Sequence, residues 1–359
     1  MNTLMNSFAR RSLCTASKQP TASACLLLAC PKTGASDASQ LEDYQILFMK
    51  RASSGVMAGA WVFPGGKVDP VDAILAEEAL KFGGLDPGAE LGRSTYLKEA
   101  TLRLCAVRET LEETGQAWPT HMADYAPEAA ALAKPDHAQY AAMKEAAARP
   151  QALGIWSQTY AHDIVHSDAL KQLVNFTTPL SEPRRFSTAF FLQSCDHDLA
   201  ADAAWAAAAQ SSVAASNGEV TGVQWATPSQ ALDAWAEGNM PLPPPQFLLL
   251  HTLKQLAPSW GQLGVLPSSG ALPGDADLQP HNAKLSDSSL GIHLPGDSEH
   301  PSAAQLGVLP GKRHRLVVTS RSGQALPDGP LPAMADAQYE WHSDWTESPT
   351  VALPLELRA

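Results

Sequence analysis

The chain reads as an α/β protein, and two observations carry that reading. Short apolar runs rich in branched and aromatic residues recur at 22–30, 44–50, 60–64, 186–192 and 220–225, each of strand length. Between them Leu97, Ala100, Leu104, Val107 and Leu111 follow one another at spacings of 3, 4, 3 and 4, the period of an amphipathic helix that Gly115 would close. At 359 residues, one domain with long insertions or two domains are expected.

Each element has a local cause. Residues 22–30 and 44–50 read as neighbouring strands joined by a polar loop, and Pro64-Gly65-Gly66 stops the third run. Residues 73–96 carry little hydrophobic period and read as an insertion lying outside the sheet as a loop or short helices. The Ala-rich text at 127–148 and the stretch 155–174 predict surface helices. Ser229–Glu237 predicts a helix, and Pro243-Pro244-Pro245 makes a rigid entry to another over Gln246–Leu256. Beyond Ala257 the text is turn-dense until Arg313–Thr319, which predicts a strand. Gln-Leu-Gly-Val-Leu-Pro occurs at 262–267 and again at 305–310, too short a repeat for a solenoid.

Composition excludes several classes of function. Thirty-seven acidic against twenty-five basic side chains leave a net charge of -12, which opposes nonspecific nucleic-acid binding. The longest apolar run, Cys25 to Cys30, is far short of the roughly 20 residues that cross a bilayer, so no span is expected. Five cysteines without zinc spacing predict free thiols in a reducing compartment. The acid-free N-terminus, whose first carboxylate is Asp37, has the character of a transit peptide or of an ordinary ragged end. Cytoplasm is the first expectation for location and mitochondrion the second; Leu357-Arg358-Ala359 is not a Ser-Lys-Leu peroxisomal address.

The densest chemistry is Arg108-Glu109-Thr110-Leu111-Glu112-Glu113-Thr114-Gly115. On a helix Glu109, Glu112 and Glu113 stand at i, i+3 and i+4 and share one face, where three anions repel. They also lie toward the helix C-terminus, which disfavours negative charge. A hard divalent cation held beside substrate phosphates is one reason for such an arrangement; a solvated acidic face is the plain alternative. Upstream, the Gly65-Gly66 turn lets backbone approach a ligand. No metal-ligand spacing is read into His162, His166, His197 or His314.

These residues resemble the Nudix hydrolase signature, Gly-x5-Glu-x7-Arg-Glu-U-x-Glu-Glu-x-Gly-U with U a bulky aliphatic. Residues 108–116 supply its second half and Gly66 its opening glycine. Gly66 precedes Arg108 by 42 positions (108 minus 66) against 14 in the standard box, so the box resembles one split by a 28-residue insertion. A longer loop costs little extra closure entropy. Asp72 stands where the first Glu would be, with Glu99 the other candidate, and Thr110 and Gln116 replace aliphatics. The split form resembles the acyl-coenzyme A diphosphatase branch in particular. The likeness extends through Lys50-Arg51 to Gly66, Leu104 to Glu109, Arg184 to Phe191, Gly222 to Trp225 and Pro243 to Phe247, with weaker echoes at Leu294 to Asp297 and His314-Arg315.

The resemblance implies a Nudix-type α/β/α sandwich with a mixed central sheet and helical insertions. It implies an N-terminal extension over 1–21, a Nudix domain over 22–257 with insertions at about 73–96 and 120–180, and a Pro/Gly-rich region over 258–359. It implies Mg²⁺ or Mn²⁺ bound by Glu109, Glu112, Glu113 and the carbonyl of Gly66. Glu109 is then the candidate base, oriented by Arg108, and Glu219 is a further ligand, the base, or a plain loop acid beside Asn217-Gly218. Guanidinium forks suit phosphate oxygens, so Arg51, Arg184 and Arg185, with Lys50, are the candidates for substrate phosphates. Trp61 and Phe63 read as core before adenine-stacking residues. The implied reaction is hydrolysis of coenzyme A or acyl-coenzyme A to 3',5'-ADP and (acyl-)phosphopantetheine. The other readings are a Nudix diphosphatase for ADP-ribose, dinucleotides or oxidised nucleotides, and a non-catalytic Nudix-fold binding module.

Overall fold

The structure, a computed structural model, describes residues 19–32, 42–54, 57–84, 93–114, 161–195, 198–203, 206–207, 209–210, 213, 219–266, 277–306, 308–323, 325–326 and 336–343. The N-terminal segment up to 18, Gly115 and Gln116, the Ala-rich stretch 127–148 and the C-terminal tripeptide lie outside the described residues. Among the described residues no helix is long and apolar enough to cross a membrane.

A mixed sheet forms the centre, in the order β3-β2-β1-β6-β5-β8. Its strands are β1 (Thr21–Pro31), β2 (Tyr44–Arg51), β3 (Trp61–Val62), β4 (Gly65–Lys67), β5 (Leu170–Thr177), β6 (Phe186–Ser194), β7 (Val220–Ala226) and β8 (Asp277–Leu278). β4 pairs with β1 and β7 with β2. The β1–β6 pairing is parallel, from Thr21 opposite Phe186 to Ala29 opposite Ser194, and the β1–β2 and β1–β4 pairings are antiparallel.

β1 is buried on both sides, which is why it is a nearly unbroken apolar run. Its Ala24 and Leu26 face α1 (Pro70–Phe82) and α2 (Arg93–Thr114), packing with Ala76, Leu80, Ala100, Leu104, Val107 and Phe191. Its Leu27 and Ala29 face the other way, toward α3 (Pro228–Ala236) and α4 (Pro244–Leu256), with Phe48, Phe63, Phe190 and Leu249. The sheet is thus sandwiched between helices, the Nudix-type arrangement.

α1 runs from Pro70 through the first part of 73–96 and lies outside the sheet, and 93–96 form the first turn of α2. The cause of α1 is local: Asp69 caps it, Pro70 opens it, and Asp72 at N3 closes a capping box by accepting the Asp69 amide at 2.8 Å. Glu42 performs the same service for α3 from a distance, accepting the Ser229 amide at 2.9 Å.

Two expectations are corrected. Residues 155–174 were expected to be helical; of these, 155–160 lie outside the described residues, 161–165 are helical, and Leu170–Thr177 is the sheet strand β5. Its apolar residues fill the sheet between β6 and β8, and that partnership, which no local period encodes, decides its form. The second correction concerns the text after Ala257. It holds a short helix, α5 (Trp260–Gly264), then β8, and then a four-stranded antiparallel sheet of β9 (His281–Ser286), β10 (Ser289–His293), β11 (His314–Ser320) and β12 (Ala337–Ser343). Of these only β11 was expected. The sheet packs on the α3–α4 face: Tyr339 stacks on Trp235 with ring centroids 5.3 Å apart, and its hydroxyl donates to the Leu242 carbonyl at 2.9 Å.

Candidate active site

The site forms where β4 meets the last turns of α2. The two glycines of the turn let backbone and helix approach closely there. Gly65 has φ +156°, and a Cβ on it would stand 2.4 Å from the Ala24 carbonyl oxygen; a Cβ on Gly66 would stand 2.4 Å from the carboxyl carbon of Glu109. The turn therefore lies directly against the acidic helix, across the 42 positions that separate Gly66 from Arg108. Glu113 turns inward, where its Oε2 accepts the Gly65 amide at 2.8 Å.

Arg108 is the hub. Its Nε and Nη2 donate to the two oxygens of Asp72 at 2.8 and 3.0 Å, and Nη2 also donates to the Lys67 carbonyl at 3.0 Å. Its Nη1 donates to Glu109 and to Glu112, each at 2.9 Å. Asp72 is fully buried, so this is a desolvated fork-to-fork pair. Burial by itself would lower the Arg108 pKa, but the bonds and charge of Asp72 outweigh it and hold the guanidinium firmly protonated.

Of Asp72 and Glu99, only Asp72 contacts Arg108 among the described residues. Glu99 pairs with Arg103 at 2.9 Å, ten residues before Glu109 and so about 15 Å up the helix. Asp72 is at the site, as the anchor of Arg108. Thr110, which departs from the aliphatic pattern, is buried, with its hydroxyl satisfied by the Ala106 carbonyl at 2.8 Å.

The electrostatics are lopsided. Burial raises the pKa of Glu113 to about 8, helped by the charge of Glu109 and opposed by the Gly65 amide and by Arg51. Burial also raises Glu109, with Arg108 opposing and Glu112 adding to the effect. Four carboxyl groups (Asp72, Glu109, Glu112, Glu113) face two guanidinium groups (Arg108, Arg51), so acids outnumber bases at the site, and burial holds on Glu113 a proton that a bound cation would displace. Oxygen donors with surplus negative charge suit a hard ion. The present side-chain positions do not form a closed cage: among the described residues no three His, Cys, Asp or Glu side chains are placed to hold one ion, and Arg108 stands between Glu109 and Glu112.

The other candidates fall into two groups. Arg51, at the end of β2, is within electrostatic reach of Glu113. Lys50, its neighbour, lies with Nζ 5.8 Å from the centre of the Trp61 ring. Glu219 is exposed, its backbone carbonyl accepting the Ala52 amide at 3.0 Å, so it sits beside the strand end that carries Arg51. Arg184 and Arg185 precede β6. Arg184 is exposed, and Arg185 donates Nε to the Thr178 carbonyl at 3.1 Å. The β1 register puts Arg185 about four residues beyond the Gly66 level, or roughly 13 Å along the sheet, so the pair is not brought into contact with the glutamates. Phe63 is fully buried in the core, 5.2 Å from Phe48, and is closed to a base.

Sequence reasoning missed two thiols. Cys25 packs against Gly65, and Cys105 lies 3.7 Å from both the Gly66 carbonyl oxygen and Arg108 Nη2. Burial pushes both pKa values well up, so they are neutral packing groups. The signal for Cys105 was present: it stands four residues before Glu109, on the same helix face.

The profile of the NUDT19 Nudix domain matches residues 86–253. The chain is 27% identical over 302 residues to the acyl-coenzyme A diphosphatase NUDT19 of Xenopus laevis, covering 74% of this chain and 73% of that protein. It is 26% identical over 292 residues to the protein of the same name from Gallus gallus, covering 72% and 73%. A solved Nudix hydrolase from Alicyclobacillus acidocaldarius aligns with a TM-score of 0.44 at 21% identity, over 70% of this chain and 98% of that one.

Proposed function

We infer that this chain, a Nudix hydrolase, cleaves the diphosphate bond of coenzyme A or of its acyl thioesters, releasing 3',5'-ADP and (acyl-)phosphopantetheine. The observation that carries the inference is the reassembly of a split box: Gly65-Gly66 lies on Glu109 and Glu113 although α1 and 42 positions of chain intervene. Two relatives matched over nearly three quarters of their length bear the name acyl-coenzyme A diphosphatase.

Each residue then has a task. Glu109, Glu112 and Glu113, with the Gly66 carbonyl, would hold Mg²⁺ or Mn²⁺, which supplies charge neutralisation for the diphosphate oxygens and activates water. Arg108, fixed by Asp72, keeps Glu109 and Glu112 in place and lends them charge-assisted hydrogen bonds. Glu109 is the first candidate to take the proton of the attacking water, because it lies against the Gly66 turn and burial raises its pKa above the ordinary carboxylate value. Glu219 is the second. Water adds to one phosphorus, the bridging P–O bond breaks, and the water's protons leave with the two products or to the base. No covalent nucleophile is required.

Arg51, beside Glu113, is the first residue in line for substrate phosphate, with Lys50 adjacent. Arg184 and Arg185, farther along the same sheet, are the candidates for a remote phosphate of an elongated substrate.

The deciding experiment is a substrate panel of coenzyme A, acyl-coenzyme A, dephospho-coenzyme A and ADP-ribose, with Mg²⁺ and with Mn²⁺, products identified by mass. The expected result is hydrolysis of coenzyme A or its esters above all others, at the diphosphate. A preference for ADP-ribose over every coenzyme A compound would overturn the substrate, and inertness toward the whole panel would favour a binding module.

A further inference from the structure

The second sheet buries an imidazole away from the carboxylate site. Leu290 and Ile292 of β10 pack into the α3–α4 core, so strand alternation turns Gly291 and His293 to the opposite face. His293 is nevertheless fully buried, and neither of its ring nitrogens has a hydrogen-bond partner among the described residues. Whichever nitrogen carries the proton, a neutral ring there leaves one N–H donor and one lone pair unmet, and unmet buried groups are costly. The ring lies directly over Gly291, where a Cβ would stand 2.4 Å from its Nε2.

The groups around the ring are acidic on both sides. The chain leaving β10 turns back, so that Asp297 Oδ1 lies 3.9 Å from His293 Nδ1 and Glu299 Oε2 lies 4.0 Å from Nε2. Opposite His293 in the strand register stand Arg315 on β11 and His281 on β9. Arg315 holds both oxygens of Asp297 and also reaches Glu299 Oε1 at 3.1 Å. Two carboxyl groups thus share one guanidinium, and a second cation between them would find an acceptor on each side. The two acids differ in freedom. Asp297 is fully buried and bonded by Arg315 and by the amides of His314 and Glu299, whereas the Glu299 side chain is 59% exposed.

We propose that His293 is a proton switch for the turn that carries Asp297 and Glu299. Neutral, the ring bonds to neither carboxyl group. Protonated, it presents an N–H from each nitrogen: Nδ1 faces Asp297, and Nε2 donates to Glu299 as that exposed side chain closes the 4.0 Å gap to the about 2.8 Å of a charge-assisted bond. Burial lowers the His293 pKa; Asp297 opposes, Arg315 lowers it further, and the charge and backbone of Glu299 oppose, so the proton arrives below the ordinary 6.5. The unfolded chain takes up that proton first. Overall stability therefore falls as pH drops below 6.5 and levels off below the folded pKa, while the turn itself tightens onto the sheet.

The test follows the Cε1–H resonance of His293 in the full chain by nuclear magnetic resonance, from neutral pH down to the point of acid unfolding. Amide exchange of Glu299 and His300, whose N–H groups both donate to Asp297, is measured alongside and corrected for its intrinsic pH dependence. A midpoint below 6.5 is expected. Glu299→Gln, altered at the exposed side chain, should lower that midpoint by about one unit, a tenfold loss of proton affinity. Both amides should exchange more slowly once wild-type His293 is protonated, and Glu299→Gln should abolish the slowing. A midpoint unmoved by Glu299→Gln, a ring that stays neutral until the chain unfolds, or exchange that is indifferent to the proton would overturn the proposal.

Discussion

Arg108 and Arg315 each grip a fully buried aspartate through Nε and Nη2, yet one pair opens onto a site and the other closes on itself. At the second sheet Arg315 donates to both oxygens of Asp297 at 2.7 Å, and the amides of His314 and Glu299 supply two more bonds at 2.8 and 2.9 Å. Burial alone would raise the Asp297 pKa, but these donors outweigh it and hold the carboxyl below its ordinary range. At the active site the donors run out. Arg108 is shared among Asp72, Glu109 and Glu112, while Glu113 has one amide, and burial drives its pKa up to about 8. A saturated pair stabilises a fold, and an unsaturated cluster keeps charge in reserve for a ligand.

The largest expected effect sets the two regions against each other in pH. Glu113 has a folded pKa of about 8 against 4.5 unfolded, so the native state holds more protons through that window and metal-free stability falls as pH rises. The linkage limit is about 5 kcal/mol. Asp297 has the opposite sign: its contribution is present above 3.8 and is lost as pH falls through its lower folded pKa. Thermal unfolding of chelator-treated protein from pH 5 to 8 should show the Glu113 slope, flattened in Glu113→Gln or by added Mg²⁺. An identical slope in the variant would remove Glu113 from that role.

Asp297→Ala breaks the saturated pair and leaves Arg315 without its main partner, at a cost of about 3–5 kcal/mol. Urea unfolding should register that loss, while kcat per folded molecule stays at the wild-type level. A loss under about 1 kcal/mol would mean that water replaces the aspartate without difficulty.

Glu112→Gln or Glu113→Gln should lower kcat about a hundredfold to a thousandfold, roughly 2.7–4 kcal/mol of transition-state stabilisation, with the fold retained by circular dichroism. Near-wild-type turnover with Mg²⁺ in either variant would remove that residue from the metal set. Arg51→Ala is expected to be milder, costing about 1.5–3 kcal/mol in kcat/KM on coenzyme A and less on its 3'-dephospho form. Equal losses on the two substrates would assign Arg51 to the diphosphate.

The legible parts of the molecule were those whose cause is local. The α2 stripe of Leu97, Ala100, Leu104 and Val107, the strands built on Cys25–Cys30 and Tyr44–Lys50, and the acidic face of Glu109, Glu112 and Glu113 follow from period and residue type. The α1 capping box was equally available in Asp69-Pro70-Val71-Asp72 but was hidden by the weak apolar period of that stretch. Local text fails where partners lie far away. Gln262 to Leu263 is helical and Gln305 to Leu306 is turn, although both open the same six-letter sequence. Leu170–Thr177 became a strand because β6 and β8 were there to pair with it.

The sequence by itself determined the helix, its three glutamates and the glycine turn, because backbone conformation and side-chain period act over a few residues. Only the tertiary structure decided that Asp72 and not Glu99 pairs with Arg108, and that Arg108 is divided among three carboxylates. It also decided that Arg185 lies about four residues along the sheet from the Gly66 level. Those outcomes depend on which charges end up desolvated together, and burial is a property of the assembled fold.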